Sequence, residues 1–167
     1  KFTVTSNSLK IKEDFNKFSK EELEEAKNPV IIAGRIMNKR RSGKAGFMDI
    51  QDRFGTIQIY ISISDVGEQE YELYKSCDIG DIIGINGWIC KTNTGALSIH
   101  ATKYTHLVKS LRPLPEKFHG LTDVEERYRR RYVDLITNEN SKNIAFLRPA
   151  IIKNIRNFMD NRGFTEV

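Results

Sequence analysis

From residue 30 to residue 110, apolar and polar positions alternate with a period of two. That repeat places successive side chains on opposite faces of a strand. Five segments carry it: VIIAGRIMNKR (30–40), AGFMDIQD (45–52), GTIQIYISI (55–63), DIIGINGWICK (81–91) and GALSIHATKYTHLVK (95–109). The third is the most regular, with Ile57, Ile59, Ile61 and Ile63 in one phase and Thr56, Gln58, Tyr60 and Ser62 in the other. In the first, Ile32, Gly34 and Ile36 face in and Arg35 faces out. In the second, Met48 and Ile50 face in, while Phe47 falls in phase with Asp49 and Gln51 on the polar side.

Between the third and fourth strands, EQEYELYKSC (68–77) breaks the alternation and reads as a short helix. Five strands with a helix in that place are the order of an OB-fold, a small Greek-key barrel. Gly34, Gly84 and Gly87 suit the bends that such a barrel needs. Ahead of the barrel, SKEELEEAK (19–27) predicts a helix with a capping box from Ser19 and Glu22, a staple from Phe18, and an end at Asn28-Pro29.

Behind the barrel the period changes. Pro113 and Pro115 in LRPLPEKFHGL (111–121) predict an extended linker. TDVEERYRRRYVDLITN then opens on a second capping box, Thr122 and Glu125, with Val124, Tyr128, Tyr132 and Leu135 in one helical stripe. A helix over 141–162 follows, its stripe made of Ile144, Leu147, Ile151, Ile155, Phe158 and Met159, with Gly163 as C-cap. Thr165-Glu166-Val167 reads as the start of a strand. Such a stripe needs a partner surface, and the barrel is already complete, so the chain reads as stopping where a second domain begins. The fold class expected is mainly β. It comprises an N-terminal helical segment (1–29), a five-stranded OB-fold barrel (30–110), a linker (111–121) and the first helices of a further domain (122–167).

Composition narrows the chemistry only a little. A chain of 167 residues can bury a core without disulfides or metals. Cys77 and Cys90 form no C-x-x-C pair and read as reduced thiols of a cytosolic protein. No run of about 18 apolar residues or signal-peptide h-region is present. The net charge is +5, from 27 basic and 22 acidic residues, with clusters at Lys39-Arg40-Arg41 and in the run from Arg127 to Arg131. This fits a nucleic-acid partner and an ordinary solvated surface about equally. Pairs at helical spacing, Glu125 with Arg129 and Glu126 with Arg130, favour a solvated face for the second cluster.

No catalytic constellation is present. There is no nucleophile elbow and no H-E-x-x-H, and His100, His106 and His119 are scattered. Gly43-Lys44 lacks the earlier glycine of a P-loop and is followed by Ala45 rather than Ser or Thr. The outer face of strands one to three is more informative. It combines an aromatic plate (Phe47), an amide (Gln58), Arg35 and the neighbouring basic loop 38–44. An aromatic that stacks a base gains roughly 1–3 kcal/mol, and an amide can then read the base edge, so this face predicts single-stranded nucleic-acid binding. The alternative is that Phe47 packs beneath the N-terminal segment or a loop.

Four stretches, "AGRI…KRRSGKAGF…IQDRFGTIQIY", "GDIIGINGWICKTNTGALSIH", "KSLRPLPEKFHGLTDVEERYRRRYVDLITN" and "IIKNIRNFMDNRGFTEV", resemble class II lysyl-tRNA synthetase in its bacterial form. The resemblance runs from Val30 to Val167, and "PLPEKFHGL" with "ERYRRRYVDLI" separates the lysyl from the aspartyl and asparaginyl enzymes. It implies that Phe47 stacks on the central uridine of the lysine anticodon, that Gln58 hydrogen-bonds that base, and that Arg40 supplies a basic contact. It also implies that 144–167 begins the first class II motif, at a homodimer interface in a cytoplasmic enzyme. ATP and Mg2+, which with lysine form lysyl-adenylate before transfer to the tRNA, belong to motifs not contained in this chain, so no catalytic, cofactor or metal residue is assigned here. Two positions depart from the family: Ala96 stands where a carboxylate is usual, and Pro149 lies in the last helix, tolerable only if near its start. A non-catalytic OB-fold RNA-binding protein or synthetase paralogue is the alternative.

Overall fold

In the computed structural model, which describes residues 1–115 and 120–167, the inward phase becomes a sealed core. Ile57, Ile59 and Ile61 are 3, 0 and 0 % exposed, and Ile32, Ile36, Met48, Ile50, Ile83, Ile85, Ile89 and Ile99 are buried with them. The strands are β1 (Pro29–Ser42), β2 (Ala45–Gln51), β3 (Thr56–Ser62), β4 (Ile82–Lys91) and β5 (Leu97–Val108). They close in the order β1-β2-β3-β5-β4, antiparallel throughout except for the β3–β5 pair. Closure removes the exposed strand edges that an open sheet of this hydrophobicity would present. Residues 116–119, including His119 and part of the expected linker, lie outside the described residues.

Four helices dress the barrel unit. An α1 helix, Ser8–Phe15, precedes the expected N-terminal one, α2, which spans Lys20–Ala26. Nothing in the apolar pattern marks α1, where only Ile11 and Ser8 are buried and the stripe is too sparse to stand out. The α2 capping box forms in full, with Ser19 accepting from the Glu22 N–H and Glu22 accepting from the Ser19 N–H. Leu23, 0 % exposed, anchors the helix in the core. Ile63, expected as the fourth inward isoleucine of β3, instead opens a short turn, α3 (Ile63–Val66), before α4 (Glu68–Ser76). Tyr71 and Tyr74 of α4 are buried, and burial pushes the Tyr74 hydroxyl up to about 12, so it stays a neutral donor to the Arg40 carbonyl.

The chain divides into two units, Lys1–Pro113 and Leu114–Val167. In the second, the helix expected over 122–138 is two: α5 (Val124–Arg129) and α6 (Arg131–Thr137), parted at Arg130. Its N-cap is Asp123 rather than Thr122, because the Asp123 carboxylate accepts from the Glu125 N–H. The ion pairs Glu125–Arg129 (3.2 Å) and Glu126–Arg130 (3.0 Å) form on the solvated face. The break rotates the helix, so that Val133 and Asp134 are buried while Val124, Tyr128 and Tyr132 are exposed. Asp134 is fully enclosed, 3.0 Å from Arg127 and 2.6 Å from Arg131. Burial alone would raise its carboxyl; the Ser141, Arg127 and Arg131 partners outweigh that and hold it below the usual carboxylate range.

The last helix, α7, spans Glu139–Asp160, with Pro149 deep inside it rather than in the first turn. There the ring removes the N–H that would have bonded to the carbonyl four residues back. Gly163 takes a positive φ of 82° just past the helix end. Residues 164–167 form neither helix nor strand, unlike the strand expected there.

Candidate nucleic-acid interface

Cross-strand pairing decides which outward side chains meet. One row of paired residues runs around the barrel: Arg40 opposite Phe47, Phe47 opposite Tyr60, Tyr60 opposite His100, and His100 opposite Trp88. Their rings form a continuous band. Centroids lie 5.3 Å apart for Phe47–Tyr60, 5.0 Å for Tyr60–His100 and 4.6 Å for the nearly parallel His100–Trp88 pair. Stacked and tilted contacts at these separations hold aromatic rings in fixed orientations. His100 is further held by Asp65 of α3, at 3.0 Å from its Nε2.

Arg40 joins this row through a defect in β1. Strict alternation from Ile32, Gly34 and Ile36 would turn residue 40 inward. The β1–β2 register slips between Ile36 and Asn38, so Met37 is the unpaired residue of a β-bulge. Beyond it the phase reverses. Asn38, whose amide donates to Asp49 at 3.0 Å, and Arg40 now stand on the outer face. Lys39 turns the other way, donating to the Lys75 and Cys77 carbonyls at the end of α4.

The next row carries Gln58. Its carbonyl accepts from the Ser98 hydroxyl at 3.0 Å, which leaves the amide NH2 as its available donor. Arg40, Phe47 and Gln58 line one hollow of about 340 Å³, closed by Thr92, Asn93 and Thr94 of the β4–β5 turn. Three of the four sequence-predicted residues are therefore brought together. Arg35 is not among them. It pairs with Gln51 at the other end of β2, and its guanidinium donates to the Gly80 carbonyl at 2.8 Å.

A second hollow of about 280 Å³ adjoins the first along Phe47, Thr92 and Asn93. Its other walls are Tyr60, His100, Trp88, Cys90 and Lys91 of the barrel, with Lys20 and Glu24 of α2. Burial pushes the Cys90 thiol up to about 11, so it is uncharged at neutral pH. Ala96, where the resemblance leads one to expect a carboxylate, lines neither hollow; its backbone closes the Thr92–Ala96 turn.

Alternation alone puts Tyr60 on this face without marking it as part of a site, and His100 stands isolated in the sequence. Trp88 was legible in part, since it falls out of phase with Ile85 and Ile89. What pattern could not supply was the pairing that lines the four rings up. Gly87 makes that pairing possible, because a Cβ there would lie 2.1 Å from the His100 carbonyl oxygen. At Gly84 the glycine serves packing rather than a bend, for a Cβ there would strike the Phe2 ring.

Among the described residues, no group of three or more His, Cys, Asp or Glu side chains could hold a metal ion.

A closed five-stranded barrel with aromatic, amide and cationic groups on one outer face defines an oligonucleotide-binding domain. In agreement, a family model described as an OB-fold nucleic acid binding domain matches residues 30–107, and one described as tRNA synthetases class II (D, K and N) matches residues 123–167. The whole chain is 56% identical to a lysine–tRNA ligase of Streptococcus suis (strain 05ZYH33) and 53% identical to one of Staphylococcus aureus (strain N315), covering 34% of each. Over its whole length the chain is thus similar to class II lysine–tRNA ligases, and it spans about a third of the length of the curated relatives it matches.

Proposed function

We propose that this chain supplies tRNA anticodon recognition to a lysine–tRNA ligase. The observation that carries this reading is the convergence of Phe47, Gln58 and Arg40 around one hollow on the barrel face. Phe47 stacks a base, most simply the central uridine of the lysine anticodon. The Gln58 NH2 donates to a carbonyl on that base, and Arg40 neutralises a neighbouring phosphate. Residues 30–110 are then the anticodon-binding domain and 122–167 the beginning of the catalytic domain. The ligase joins lysine to its tRNA with ATP and Mg2+, works in the cytoplasm, and pairs as a homodimer through the class II domain. The exposed apolar stripe of α7 supports the last point.

The test is titration of a labelled lysine anticodon stem–loop with the wild-type chain and with Phe47→Ala. Loss of the stack is expected to weaken binding by about 1–3 kcal/mol. Equal binding by both would refute the assignment of Phe47. For Arg40→Gln, weaker binding with a shallower salt dependence is expected of a phosphate contact. An unchanged slope with lost base discrimination would mean a base contact instead.

A further inference from the structure

Lys39, Arg40 and Arg41 form one basic cluster in the sequence, yet Lys39 is engaged inside the fold. We propose that Lys39 and Tyr74 are positioning residues of the anticodon interface, tying the end of β1 to α4 so that Arg40 stays opposite Phe47; the inference rests on the anticodon-binding reading above. Four observations carry it.

The first is an unsupported edge. β1 pairs with β4 only from Pro29 to Arg35, and among the described residues no strand but β2 flanks it from Ile36 to Ser42. Phe47 is held from both sides, by Arg40 and by Tyr60, whereas Arg40 has a strand on one side alone. A side chain on such an edge has to be ordered when its ligand arrives, and that ordering lowers affinity.

The second is what replaces the missing strand. The Tyr74 hydroxyl donates to the Arg40 carbonyl at 3.2 Å, and the Tyr71 hydroxyl lies 3.2 and 3.3 Å from the Gly43 and Ala45 carbonyls at the hairpin tip. The Lys39 ammonium donates to the Lys75 and Cys77 carbonyls at 3.0 and 2.7 Å, acceptors that the end of α4 leaves without helical partners. It also stands 5.0 Å from the centre of the Tyr74 ring.

The third is phase. Successive strand side chains point to opposite faces, so while Lys39 is bonded to α4, Arg40 has to point outward. The bond thus holds the reversed alternation that the bulge at Met37 begins. The fourth is room. A Cβ on Gly46 would lie 2.1 Å from the Tyr74 hydroxyl oxygen, so the bare Cα admits that hydroxyl to β1. Tyr74 is 0 % exposed and cannot itself touch RNA.

The test is anisotropy of the labelled lysine anticodon stem–loop. Native emission of the chain's single tryptophan, Trp88, checks that each variant is folded. Tyr74→Phe keeps the ring and removes one buried, neutral hydroxyl. It is expected to weaken binding by roughly two- to tenfold, the span of one hydrogen bond. The salt dependence should become shallower although no charge is lost, because Arg40 leaves its phosphate. A hydroxyl that served stability alone would change neither. Lys39→Met is expected to weaken binding in the wild-type background, and to change it by less than about twofold in the Arg40→Gln background. A loss of equal size in both backgrounds would overturn the positioning role of Lys39 and make it a direct contact. Binding by Tyr74→Phe with wild-type strength and slope, while Phe47→Ala and Arg40→Gln still weaken it, would overturn this inference alone. Binding that neither Phe47→Ala nor Arg40→Gln weakens would overturn the anticodon reading, and this inference with it.

Discussion

The inner face of β3 and the stripe of α7 are similar in sequence and opposite in fate. Each is a regular run of large aliphatic side chains, one at period two and one at period 3.6. Ile57, Ile59 and Ile61 lie at 0–3 % exposure, whereas Ile144, Leu147, Ile151, Ile155, Phe158 and Met159 lie between 37 and 60 %. Periodicity therefore identifies the element and its apolar face, and says nothing of whether that face meets a partner within the same chain. The barrel satisfies itself by closing. A lone helix cannot, and most of its stability in a protein has to come from burial of its stripe.

The difference can be broken by substitution. Ile59→Ala removes a side chain with no exposed surface and is expected to cost about 2–5 kcal/mol. Trp88 emission in urea follows the barrel alone and measures that loss. Gly87→Val tests the close approach of β4 to β5. A Cβ 2.1 Å from a backbone oxygen forces the strands apart, so a loss of roughly 1–3 kcal/mol is expected, with a change in native Trp88 emission.

Acid sharpens the comparison, because among the described residues each unit encloses one carboxylate. Asp81, 0 % exposed, is pushed up by burial. Bonds from the Asp78 and Ser110 N–H groups and from Lys109 outweigh this and leave its carboxyl below the ordinary value. Asp134 is lowered in the same way by Ser141, Arg127 and Arg131. Since both folded values lie below the unfolded one, each contribution is complete above about pH 4 and is lost as pH falls through the folded value. Thermal melts from pH 7 to pH 3 are expected to fall only at the acid end. Asp81→Asn should flatten that fall for the barrel signal, and Asp134→Asn for the helical one.

The smallest effect is expected at α7. Ile151→Ala should change the stability of the dilute chain by no more than about 0.5 kcal/mol, as for an exposed position. Should the loss instead grow with protein concentration, the stripe is covered by another copy, and sedimentation would show the association.

Much of the fold is legible in the chain. Five alternating segments, one interposed helix and two capping signals lead to the barrel and its flanks, because strand phase and helix caps are properties of neighbouring residues. Misses fall where a side chain two residues away or a distant segment decides. Asp123 displaces Thr122 as cap because its carboxylate takes the Glu125 N–H that Thr122 would have bonded, and Ile63 leaves β3 to start α3. The candidate site divides along the same line. Phe47 and Gln58 follow from alternation alone. The band they belong to depends on register: a bulge at Met37 turns Arg40 outward, and Gly87 lets β4 lie close enough to β5 for Trp88 to stack on His100.

What the sequence by itself determined is which side of each strand is greasy and where the five strands and the capped α2 lie, since both depend on spacing along one chain. Only the tertiary structure decided which rings became neighbours, that Arg35 turned to Gly80 rather than to Phe47, and that α2 stands beside them as a wall. Those outcomes depend on hydrogen-bond register between segments far apart in sequence. A single residue of slip there would have moved every outward side chain to the other face.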